Sequence, residues 1–125
     1  MTGRMNMVGA FLYELHGALM RLRESGDTYT AYLETTGLTD EEKVEVLETL
    51  GRGNVTIRYA ETDQPVEWYE TNFSGIWVGT YKNGRDDSIV YTVEVSRYPA
   101  VAAAFDEDIE ESAEELRIWC EASRI

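Results

Sequence analysis

The stretch Ile76-Trp77-Val78-Gly79-Thr80-Tyr81-Lys82-Asn83-Gly84-Arg85-Asp86-Asp87-Ser88-Ile89-Val90-Tyr91-Thr92-Val93-Glu94-Val95 decides the fold. Its two runs are rich in β-branched and aromatic residues, and an Asn-Gly pair between such runs is the strongest short-range hairpin signal. Two registers compete across that turn. A two-residue turn at Asn83-Gly84 sets Ile76 against Tyr91 and Val78 against Ile89, and leaves Trp77 with Val90 on the opposite face. A three-residue loop with a bulge at Arg85 instead pairs Trp77 with Tyr91 and Gly79 with Ile89, which carries the indole into the core.

Upstream of the hairpin, Val55, Ile57 and Tyr59 alternate with Thr56 and Arg58 as a half-buried strand does. Thr62 to Pro65 reads as a turn, and Val66 to Thr71 as a further strand with Trp68 and Tyr69 on opposite faces. The expected sheet is therefore a four-stranded antiparallel β-meander. Before it the period is helical. Val8, Phe11, Leu12, Leu15, Leu19 and Leu22 form one stripe of a helix ending near Gly26. Asp27 or Thr28 is expected to cap a short second helix carrying Tyr29, Tyr32 and Leu33, stopped at Gly37. Thr39 and Glu42 form a capping box that opens a third helix through Val44, Leu47 and Leu50.

After the sheet, Pro99 fits the first turn of a helix. Ile109, Ala113, Leu116 and Cys120 give that helix an apolar stripe, with acidic residues crowding its N-terminal half. The expected architecture is α+β: one domain over residues 1–125, with a helical part at 1–53, the sheet at 54–96 and a C-terminal helix at 97–125 packed with it.

A chain of 125 residues is long enough for one hydrophobic core and too short for two. Acidic residues outnumber basic ones 24 to 11, for a formal charge of −13. Such a surface repels phosphate backbones and anionic membranes, so neither nucleic acid nor membrane is the expected partner. No run approaches the length of a membrane span and no secretory signal pattern opens the chain, so the expected location is the cytoplasm. The lone Cys120 rules out an internal disulfide and reads as a small core residue.

Catalytic equipment is missing from the sequence. His16 is the only histidine, and it has no partner at fixed spacing; no nucleophile elbow, Cys/His pair or phosphate-binding glycine loop appears. One Cys and one His cannot build a zinc site. Asp106, Asp108 and Glu110 alternate like the start of a calcium loop, but Glu111 stands at the sixth position, where the loop requires glycine. No cofactor is expected. Trp68, Tyr69, Phe73 and Trp77 remain as candidate protein-binding residues, since aromatic side chains dominate protein interfaces.

The segment from Leu47 to Ala102 resembles the HupH/HyaF-type hydrogenase expression proteins. The resemblance rests on Leu50-Gly51-Arg52-Gly53-Asn54-Val55, Glu70-Thr71 with Phe73, Gly75-Ile76-Trp77 followed by Tyr81, and Val93-Glu94-Val95 leading to Pro99. It implies a non-catalytic role in nickel–iron hydrogenase maturation. The implied partner is the precursor of the iron–sulfur small subunit before twin-arginine export, or another maturation protein. Two departures stand out. The family's full-length members are longer, and Val78-Gly79 replaces a polar residue followed by a larger apolar one. Two other readings stay open: an interaction or homo-oligomerising module unrelated to hydrogenase, and a small enzyme using paired carboxylates.

Overall fold

The computed structural model describes residues 6–60, 66–83 and 88–123. Helix α1 (Met7–Ser25) opens on Asn6, whose side chain accepts from the Val8 N–H at 2.8 Å. Its buried residues are Val8, Phe11, Leu15, Ala18 and Leu22, one face of a 3.6-residue repeat. Helix α2 (Asp40–Leu50) starts with the expected capping box. The Glu42 N–H donates to the Thr39 hydroxyl at 3.1 Å, and the Thr39 N–H donates to the Glu42 carboxylate at 2.9 Å.

Between the two helices lies strand β1 (Tyr29–Tyr32), followed by a 3-10 turn at Leu33–Thr35. Strands β2 (Thr56–Tyr59), β3 (Val66–Glu70), β4 (Ile76–Asn83) and β5 (Ser88–Val95) complete one antiparallel sheet of order β1-β5-β4-β3-β2. The four-stranded meander is thus corrected to five strands. Tyr29 to Tyr32, expected within a short helix, pairs with β5 so that Tyr29 meets Val95 and Tyr32 meets Thr92. A one-turn helix fixes several dihedrals for little return, whereas the free edge of β5 satisfies this segment's backbone directly. The pairing also turns Tyr29 and Ala31 toward the core.

Neither expected hairpin register occurs. Ile76 lies opposite Val95, Val78 opposite Val93, and Thr80 opposite Tyr91, with Asn83 and Ser88 as the last pair. This alignment gathers Ile76, Val78, Val93 and Val95 into the core beside α1 and α2, and burial of one face is what fixes a register. The turn at Thr62 to Pro65 and the turn positions Gly84 and Arg85 lie outside the described residues. Trp77 sits on the face opposite Ile76 and Val78, yet it is buried, outside the main cluster.

The C-terminal helix also departs from expectation. Pro99 precedes only a 3-10 turn at Ala100–Ala102, and extended backbone at Ala103 and Phe105 separates it from α3 (Asp106–Ala122). No residue of α3 is buried, so it is not a packed layer. Phe105 is 72% exposed, Leu116 64% and Trp119 65%. Cys120, expected in the core, is exposed. Amphipathy in a sequence specifies a stripe and says nothing of what covers it.

Candidate functional site

Most of the residues that carry the family resemblance fold into one corner of the molecule, whereas Tyr81 lies farther along β4 on the outer face of the sheet. Beyond α2 the chain runs back along β3: the Asn72 N–H donates to the Leu50 carbonyl at 2.9 Å, Gly53 to Glu70 at 2.7 Å, and Glu70 to Val55 at 2.9 Å. Gly53 is required by this approach, because a Cβ there would lie 2.8 Å from the Thr71 carbonyl oxygen and 3.0 Å from that of Glu70. The turn between β3 and β4 is tied just as closely. The Thr71 hydroxyl accepts from the Phe73 N–H and donates to the Phe73 carbonyl, both at 3.1 Å. The Ile76 N–H closes the turn on the Phe73 carbonyl at 3.0 Å. The end of β5 joins through Ser96, whose N–H donates to the Gly75 carbonyl at 2.9 Å and whose carbonyl accepts from the Trp77 indole at 3.0 Å.

At the tip of this corner Phe73 is 47% exposed. It borders an apolar groove formed with Leu12, Leu15, Leu19, Leu50 and Ile76. An exposed aromatic ring on a hydrogen-bonded turn beside an apolar groove is preorganised for docking, since little ordering entropy remains to be lost on binding. His16 also faces the groove, and its ring lies 5.6 Å from that of Tyr13.

The four aromatic residues singled out in the sequence are not brought together. Phe73 borders the groove. Tyr69 faces the helices, half-buried, with the Arg52 guanidinium 4.5 Å from its ring centre. Burial raises its phenol pKa, and the Arg52 charge partly opposes the shift. Arg52 in turn pairs with Glu67 at 3.1 Å. Trp68 lies on the other face of the sheet, beside a shallow recess it lines with Tyr32, Val66, Tyr81, Thr92 and Glu94. Trp77 is buried and anchors Ser96.

Gly79 explains the departure in strand β4. It lies opposite Trp68, and a Cβ there would come within 2.7 Å of the indole nitrogen and 2.5 Å of the Thr92 hydroxyl. The missing side chain leaves room for the indole, which hydrogen-bonds Glu94. Burial raises the Glu94 carboxyl pKa and the indole bond partly offsets it. Sequence reasoning missed Glu94 and the groove leucines. Glu94 carried one signal, a charge between two core valines; the leucines carried none, because a groove wall and a core stripe have the same spacing.

Among the described residues, no three His, Cys, Asp or Glu side chains are grouped to hold a metal ion. Nor is any helix there long and apolar enough to cross a membrane. The fold and corner define a class: a small α+β domain with an apolar groove beside an exposed aromatic turn.

The family follows from comparison. Residues 5–123 match the model of the HupH hydrogenase expression protein, C-terminal conserved region, and the chain belongs to that family. It is 34% identical over 119 residues to hydrogenase expression/formation protein HoxQ of Azotobacter vinelandii, covering 87% of this chain and 39% of the relative. Hydrogenase expression/formation protein HupQ of Azotobacter chroococcum mcd 1 gives the same identity and coverage. The chain thus spans about two-fifths of the length of these curated relatives, 39% in each case. The fold is shared with hydrogenase expression protein HupH from Thiobacillus denitrificans ATCC 25259, at a TM-score of 0.77 and 22% identity, over 92% of this chain and 95% of that one.

Proposed function

We propose that this domain is a non-catalytic accessory factor of nickel–iron hydrogenase maturation. In this reading it holds a hydrogenase precursor, the iron–sulfur small subunit before export, at the Phe73 groove. The observation that carries the reading is the convergence of most of the resemblance residues on a corner that presents an aromatic side chain. Trp77 and Tyr69 brace the sheet, Trp68 shapes its outer face, and Phe73 makes the contact. The charge of −13 steers a basic segment of the partner toward the domain and accelerates encounter more than it adds affinity.

Affinity purification from hydrogenase-expressing cells tests the reading. The small-subunit precursor is expected to co-purify with the unaltered domain and to be lost with Phe73→Asp, whose exposed position leaves folding intact. Absence of the precursor from the unaltered sample, together with normal small-subunit maturation in cells lacking the protein, would sink the proposal.

A further inference from the structure

Besides the Phe73 groove, two surfaces lack a cover among the described residues. One is the convex stripe of α3. At 100° per residue Ile109, Ala113, Leu116, Trp119 and Cys120 fall on one side of the helix, with Phe105 just before its first residue, and Ile118 falls on the other. The other surface is the shallow recess on the outer face of the sheet, where Tyr32, Val66, Trp68 and Tyr81 surround the polar side chains of Thr30, Thr92 and Glu94. Hydrophobic surfaces of this extent on a folded domain mark interaction sites.

We infer that two copies of the chain associate by reciprocal exchange, the α3 stripe of each lying across the open sheet face of the other. One two-fold operation covers both surfaces in both copies, as an isologous interface requires. The area suffices. A helix of 17 residues is ~25 Å long, and a face of that length presents on the order of 500 Å². Two helices on two sheets then bury on the order of 2,000 Å², against about 1,200–2,000 Å² for stable complexes.

The helix is no stray tail. The family match runs to residue 123, and the solved relative superposes on 92% of this chain, which omits fewer residues than α3 contains. Charge bears on strength, not on choice of seat. The acidic side chains of α3 flank the stripe and stay in solvent when it packs, so repulsion between copies is screened at physiological salt. The exchange is independent of docking at Phe73, which lies on the helix side of the sheet.

Sedimentation velocity of the full chain across the micromolar range tests the inference. The expected result is a dimer that tightens as salt rises. Leu116→Glu on the stripe and Tyr32→Glu on the sheet face should each weaken it at least tenfold with an unchanged far-UV spectrum, while Ile118→Glu leaves it intact. A monomer at every concentration overturns the inference. So does dispersal by Leu116→Glu without dispersal by Tyr32→Glu, which means that the stripes pair with each other. A dimer that weakens with salt or fails in Ile118→Glu overturns it as well.

Discussion

Around Phe73, separated stretches of backbone bond to one another: Leu50 to Asn72, Gly53 to Glu70, Gly75 to Ser96. In α3 the ion pairs stay within the helix, Arg117 reaching Glu121 at 2.7 Å and Glu114 three residues before it. Both regions expose an aromatic side chain, Phe73 at 47% and Trp119 at 65%. They differ in what holds that side chain in place. The corner owes its shape to tertiary contacts, so its aromatic ring arrives preorganised. Helix α3 owes its shape to local pairing and propensity, which a helix of its length sustains only marginally without a packed face.

The sharpest way to break this contrast is at Gly53. Gly53→Ala forces a methyl against two backbone carbonyls and is expected to cost about 3 kcal/mol in urea unfolding, in the upper range for point substitutions. The corresponding test in the other region, Ile118→Ala, should stay within about 0.5 kcal/mol. Equal costs would erase the distinction. Next in size, Trp77→Phe removes the indole donor from the Ser96 carbonyl and should cost about 1–2 kcal/mol, with faster amide exchange at Ser96. Unchanged exchange there would mean that the indole does not brace the corner.

The smallest effect concerns Glu94. Its folded-state pKa is raised, chiefly by burial, so its contribution to stability is present below the unfolded carboxyl pKa and lost as pH rises through the folded one. Glu94→Gln should therefore raise the urea midpoint at neutral pH, and the gain should vanish as pH falls into the carboxylate range. A gain that persists in acid contradicts burial as the cause.

The sequence revealed elements whose signals are local. The Thr39–Glu42 capping box and the stripe of α1 appear as read. Strand β1 is hidden because Tyr29 to Tyr32 is too short for a period of two to stand out, and its partner residues lie 60 to 66 positions away. The hairpin register was settled by the pairing of four core residues, Ile76, Val78, Val93 and Val95, which outweighs turn chemistry. Cys120 and its stripe were assigned to a core because a sequence records amphipathy without naming the occupant. Among the candidate site residues, aromatic identity was legible for Phe73, but its exposure was not, since that depends on the Thr71 hydroxyl turn and on α2 ending beside it.

The most direct test of the account replaces the native protein by Phe73→Asp in its host and measures active hydrogenase beside the level and melting temperature of the variant. The account predicts hydrogenase reduced to the level of a deletion strain while the variant accumulates and melts like the unaltered protein. Full hydrogenase activity in that strain would contradict it.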